Sequence, residues 1–288
     1  MKLLRNALNW LLYSNVFIAI CAMAFTLQGY LLLHQAIRWD LVAVMSGVAT
    51  LFVYLLIRVA ATARIREYHA EERWDFFLRY HRVWRVIVVI AFFACLILYF
   101  LLPFRIQMVL LLPGVISVFY GLPFGKKEKP FRLRDFGVTK IFMISFVWAF
   151  IGSMLPAVNA ELRAFDKEVL ILFAANYFFI FGITLPFDLK DLIVDAKSEV
   201  KTIPALLGEQ NTYSLSYLCL FISDGLHAWL QHLSASDAYD FTSPVSYSIL
   251  VAGAIIFLTS KKKESIYYFG LLDGSILLQF LLCYFFQG

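Results

Sequence analysis

The sequence predicts an all-α integral membrane protein of about nine transmembrane helices, one domain over residues 1–288, with its amino terminus in the cytoplasm. Three observations lead there. The chain is 61% apolar and 16% charged, with a mean hydropathy of +0.77, which is more greasy surface than one soluble core buries. Continuous apolar runs long enough to cross a ~30 Å hydrocarbon layer at ~1.5 Å per residue recur along its length. Lys and Arg fall almost entirely on one side of those runs.

Taken in order, the runs lie near 11–33, 41–61, 86–102, 106–124, 138–158, 169–187, 211–232, 243–260 and 266–286. The first follows few amino-terminal charges and has no small-residue cleavage site, so it reads as a retained helix rather than a signal peptide. Pro113 and Gly114 interrupt the fourth, and Pro123 ends it. The runs are continuous rather than alternating, which disfavours a closed β-barrel.

With the amino terminus inside, Lys2, Arg5, the stretch Arg58 to Arg85, the loop Lys126 to Lys140, the loop Lys190 to Lys201 and Lys261 to Lys263 are all cytoplasmic. Only Arg38, Arg105, Arg163 and Lys167 of the 25 basic residues are not. Miscounting one helix would scramble this alternation, so the asymmetry also supports an odd number of spans and an external carboxyl terminus. The net charge of +5 belongs to these loops, where it meets anionic membrane lipids or a phosphorylated ligand, and gives no argument for nucleic acid. Cys21, Cys95, Cys219 and Cys283 fall within runs and lack C-x-x-C spacing, as structural thiols do. Nothing in the chain specifies an oligomeric state.

Chemistry gathers in the cytoplasmic loops. Asp188, Asp191 and Asp195 follow the sixth run, in steps that put their carboxylates on one face of a helix. Such crowding is unfavourable unless relieved. A hard divalent cation such as Mg²⁺ relieves it, and so does a solvated helix end where Lys190 and Lys197 neutralise the acids. The whole block reads D-L-K-D-L-I-V-D-A-K-S-E-V-K-T-I-P-A-L-L-G, from Asp188 to Gly208. It closely resembles the second aspartate-rich motif of the UbiA superfamily of intramembrane prenyltransferases, in which D-x-x-D-x-x-x-D precedes G-x-K-T-x-P-x-L-x-G. The loop Y-G-L-P-F-G-K-K-E-K-P-F-R-L-R-D (Tyr120 to Asp135) is similar to that family's Y-P-x-x-K-R loop with two residues inserted. Lys140 and Trp148 also match residues often seen on the next helix.

The resemblance implies helices bundled around an intramembrane chamber, in the cell membrane, with the motif loops cytoplasmic. It implies removal of diphosphate from an isoprenyl diphosphate and attachment of the allylic carbon to a lipophilic, commonly aromatic, acceptor. In the family two Mg²⁺ ions offset the charge gathering on the leaving diphosphate. Carried over residue by residue, Asp191 and Asp195 hold metal with Asp188 in support, and Lys126 or Lys127 and Lys201 contact diphosphate oxygens. Phe and Tyr faces wall a dry chamber and stabilise a carbocation.

The family's first motif, N-x-x-x-D-x-x-x-D near the end of the second helix, is missing. Asn6, Asn9, Asn15, Asn159, Asn176 and Asn211 are each followed four residues on by a non-acidic residue. Tyr54, Arg58 and Thr62 occupy the expected rhythm, and Arg58 repels a metal but pairs directly with a phosphate oxygen. Glu67, Glu71 and Asp75 repeat every four residues, but interleaved Arg makes a salt-bridged exposed helix the simpler account. A former enzyme that only holds an isoprenoid lipid is the alternative. Within the runs, Asp224 and His227 are spaced to pair near mid-membrane, and Asp273 stands early in the ninth. They serve as acceptor-side acid or base, as a proton path of a transporter, or as interhelical hydrogen bonds.

Overall fold

The computed structural model describes residues 2–65, 72–121, 137–197, 201–235, 243–261, 264 and 267–287, all as helices and short connections with no strand among them. In chain order the helices are α1 (Lys2–Tyr13), α2 (Val16–Leu32), α3 (Leu41–Ile65), α4 (Glu72–Arg79), α5 (His81–Leu101), α6 (Phe104–Gly121), α7 (Gly137–Gly152), α8 (Met154–Asn159), α9 (Lys167–Lys197), α10 (Ile203–Ala235) and α11 (Pro244–Lys261). A π-helical turn, Tyr267–Leu272, then leads into α12 (Asp273–Gln287).

Among the described residues, seven stretches are long and apolar enough to cross a membrane: Leu41–Ala60, His81–Leu101, Phe104–Gly121, Gly137–Asn159, Lys167–Leu192, Pro244–Lys261 and Tyr267–Phe286. Helix α2 is apolar but shorter, and α10 is long but mixes polar residues into its apolar sequence. The exposed face of α5 carries Val86, Ile90, Phe93, Ile97 and Phe100, as expected of a helix turned to lipid.

Helices α2, α7, α9, α10, α11 and α12 follow one another around a ring, each against the next, and α12 closes it by packing back on α2. Helix α3 packs on α2 and also on α5 and α6. Small residues set the close crossings, as in other membrane bundles. A Cβ at Gly29 of α2 would stand 2.3 Å from the Gly152 carbonyl oxygen of α7, so only glycine lets these backbones meet. Phe25 and Trp148 pack beside that crossing at 6.0 Å between ring centroids.

Several polar groups inside the bundle are matched across helices, since an unmatched one is costly where water is absent. The Gln28 amide on α2 donates to Gln279 on α12 at 2.9 Å. Thr26 donates to Ser46 at 2.8 Å, and the Asn176 amide to the Gly152 carbonyl at 3.1 Å. Pro186 in α9 has no N–H for the carbonyl four residues back, that of Gly182. The Ser216 hydroxyl of α10 takes that carbonyl instead, so the break is repaired by the neighbouring helix.

Several runs end differently from their sequence reading. The apolar run 11–33 is not one helix: the chain breaks at Ser14–Asn15, where Asn15 adopts φ 64°. Helix α9 continues to Lys197, beyond the expected end at 187, because no proline or glycine interrupts it after Pro186. The block after it folds as a short helical turn starting at Ile203 and bends at Gly208, whose φ of 77° suits glycine alone. Asp224 and His227 do not pair. Asp224 accepts from Ser246 at 2.6 Å, in the first turn of α11, while His227 bonds the Ser223 carbonyl at 2.9 Å.

Candidate functional site

At the end of the bundle where α9 carries its acids, a cavity of about 180 Å³ opens between α2, α3, α7, α9 and α12. Its deeper wall is apolar, with Ile144, Trp148, Ile180 and Ile183. Its mouth is charged, with Arg58, Lys140, Asp188 and Asp191.

Each charged residue is positioned by its helix. Tyr54 and Arg58 stand four residues apart on α3 and so share the face that lines the cavity. Arg58 is 5% exposed and donates from Nη1 to the Tyr13 carbonyl at 2.6 Å. Lys140 is one turn into α7. Its ammonium lies 2.7 Å from Asp188 Oδ1, the two side chains being 13% and 1% exposed. Asp188 Oδ2 has no hydrogen-bond partner among the described residues, which leaves a buried acceptor within the site. Asp191 is exposed at the rim.

Two contacts frame this mouth. Phe187 packs on Phe269 and Tyr268 at 5.5 and 5.6 Å between centroids, joining α9 to the π-helical turn. The Lys190 ammonium lies 4.9 Å from the centre of the Phe269 ring, a cation–π arrangement. A Cβ at Gly137 would fall 1.8 Å from the Lys201 carbonyl oxygen, so the chain after α9 is pressed against the start of α7, one turn from Lys140.

The sequence-predicted residues divide accordingly. Asp188, Asp191 and Arg58 meet in the cavity. Lys201 is exposed and does not line it, and Thr202 beside it is buried. Asp195 continues α9, but its side chain lies outside the described residues, as do Lys126, Lys127, Glu67 and Glu71. Asp75 is exposed on α4. Among the described residues no group of three or more His, Cys, Asp or Glu converges to hold a metal ion.

Three further residues join the site. Lys140 had no signal beyond its family likeness, because its partner is 48 positions away. Asp273 opens α12 and lines the cavity, one turn beyond Phe269. It is legible in the sequence as an intramembrane acid but not as part of the same cavity wall as Asp188. Asn15 also lines the cavity, and an apolar run that continues on both sides gave no warning that the helix breaks there.

No protein-family model and no curated protein matches the sequence. Solved structures match it over nearly their whole length. A digeranylgeranylglyceryl phosphate synthase is 14% identical, with 98% of each chain covered and a TM-score of 0.56. A UbiA homolog from Archaeoglobus fulgidus bound to Cd²⁺ is 13% identical, with 96% of this chain and 99% of that one covered and a TM-score of 0.59. The apo UbiA homolog from Aeropyrum pernix K1 is 15% identical, with 92% and 94% covered and a TM-score of 0.59. This chain therefore has the fold of the UbiA homologs.

Proposed function

We propose that the protein is a divergent member of the UbiA superfamily: a Mg²⁺-dependent prenyltransferase that joins an isoprenyl diphosphate to a lipophilic, commonly aromatic, acceptor in the cell membrane. The observation that carries this reading is the cavity itself, with a charged mouth holding Arg58, Lys140, Asp188 and Asp191 over an apolar interior. A diphosphate ester with a long hydrocarbon tail has that same division. In this reading about nine helices span the membrane, the amino terminus and motif loops are cytoplasmic, and the seven long apolar stretches are among the spans.

The donor set fits a magnesium ion that arrives with its substrate. Mg²⁺ is commonly held by one or two carboxylates plus phosphate oxygens and waters, so no protein cage of three or more acids is required. Asp191 at the rim and the open Oδ2 of Asp188 supply such oxygens, and Asp195 continues the same helix. Bound there, the ion offsets negative charge on the departing diphosphate.

The chain's own groups do the rest. Arg58 and Lys140 hold phosphate oxygens by charge-assisted hydrogen bonds, with Lys126, Lys127 and Lys201 contributing from the loops. Ile144, Ile180 and Ile183 keep water from the allylic carbon, and the faces of Trp148 and Phe187 are close enough to the cavity to stabilise its positive charge. Asp273 is the candidate to take the proton that the acceptor loses.

A catalytically impaired, isoprenoid-binding protein of the same fold is the second reading. It draws on the presence of Arg58 where the family carries an acid, and on the Lys140 ion pair occupying one oxygen of Asp188. Purified protein incubated with farnesyl diphosphate, Mg²⁺ and a membrane lipid extract as the source of acceptor separates the two. The enzyme releases inorganic diphosphate and Asp191→Ala abolishes the release. The binding protein retains the isoprenoid and releases none, even at saturating Mg²⁺.

A further inference from the structure

We propose that the break between α1 and α2 is an anion subsite, in which the Asn15 amide and the Arg58 guanidinium take oxygens of a substrate's diphosphate and hold part of it without metal. This rests on the reading of the cavity as a diphosphate site and adds to it a grip that survives chelation.

The break has two consequences that meet at one wall. Ending α1 at Tyr13 leaves a carbonyl without a helical partner, and Arg58 takes it at 2.6 Å. That bond anchors the side chain, and Arg58 remains part of the cavity lining. Asn15 meanwhile occupies the N-cap position of α2 in a left-handed conformation and makes no side-chain cap. An Asn at an N-cap ordinarily turns its oxygen to the first helical N–H groups. Here the side chain faces the cavity instead, 1% exposed, and its Nδ2 has no hydrogen-bond partner among the described residues.

A buried amide donor without an acceptor is unfavourable, and the left-handed conformation, which asparagine tolerates better than other non-glycine residues, is what holds it at the cavity wall. The missing partner must be an acceptor, because Nδ2 only donates. It is an anion rather than a neutral acceptor because Arg58 lines the same cavity and the N-terminal end of α2 contributes its dipole there. Asp188 does not oppose this, since Lys140 already neutralises it. Asp191 lies at the rim and Asp273 on α12, both on helices other than the one that carries Asn15.

The test is calorimetric titration of the detergent-purified full chain with inorganic diphosphate, in EDTA and then in Mg²⁺. Wild-type protein is expected to bind in EDTA. Asn15→Asp keeps the size and the tolerance for positive φ but replaces the donor with a charged acceptor, and is expected to weaken binding in EDTA about tenfold or more. Asn15→Gly, which keeps the conformation and removes the donor, weakens it in the same direction and decides the question if Asn15→Asp elutes as aggregate. Arg58→Gln also weakens it, and Arg58→Lys restores part.

Binding in Mg²⁺ but not in EDTA, or unchanged EDTA affinity in both Asn15 variants, overturns the subsite and leaves the prenyltransferase reading standing. A water that fills the place of the acceptor gives this second result. Failure of both inorganic diphosphate and farnesyl diphosphate to bind in Mg²⁺ overturns the underlying reading as well.

Discussion

The Lys140 ammonium lies 2.7 Å from Asp188 Oδ1 inside the bundle, joining α7 to α9 at the cavity mouth. Removing one member of a buried pair leaves the other charged and unmatched, at a cost on the order of 3 kcal/mol. Lys140→Met is therefore expected to lower the thermal midpoint in detergent clearly, and adding Asp188→Leu to recover most of the loss. A double variant no more stable than Lys140→Met alone would show that the pair does not tie the helices together.

The repair of α9 by α10 makes a second prediction. Ser216→Ala strands the Gly182 carbonyl that Pro186 already deprives of its helical partner, costing about 1–3 kcal/mol. In a Pro186→Ala background the carbonyl regains a backbone donor, so the same change is expected to cost much less. A double-mutant cycle on unfolding free energies reads the difference, and additive costs would refute the compensation.

Gly137 tests the docking of the chain that follows α9. A Cβ there meets the Lys201 carbonyl oxygen at 1.8 Å, and backbone yields less readily than side chain. Gly137→Ala is expected to destabilise by about 1–3 kcal/mol and to raise protease cleavage near Lys201. Unchanged cleavage and midpoint would mean that this contact is not maintained.

Asp224 gives the control for function. It accepts from Ser246 in the first turn of α11 and does not line the cavity, so Asp224→Asn is expected to leave diphosphate release within about twofold of wild type, a change near 0.4 kcal/mol. A loss comparable to that of Asp191→Ala would implicate this second acid in the chemistry.

The parts readable from sequence are those governed by local rules. Spans such as 41–61 and 138–158 emerge because lipid demands long apolar helices, and α3 and the α7–α8 stretch follow them closely. Asp188 and Asp191 fall together because helical geometry fixes their spacing. Arg58 is picked out by the resemblance, as the residue standing where the family's first motif is expected, and it lines the cavity. What was not readable depends on distant partners or on one backbone angle. Lys140 finds Asp188 only when α7 and α9 meet. Asp273 joins the acids only when α12 closes the ring. The Ser14–Asn15 break turns on a single φ inside an apolar run, where neither proline nor glycine marks it. Asp224 and His227 have a spacing that suits a pair on one helix, yet each found a better partner elsewhere.

The most direct measurement is a structure of the purified protein with Mn²⁺ in place of Mg²⁺ and a non-hydrolysable farnesyl thiodiphosphate. Anomalous signal is expected beside Asp191, with the phosphorus atoms between it and Arg58 and the tail running past Ile144 and Trp148 into the apolar interior. Ligand density bound elsewhere on the bundle, with the cavity beneath Asp188 filled only by water, would contradict the prenyltransferase reading.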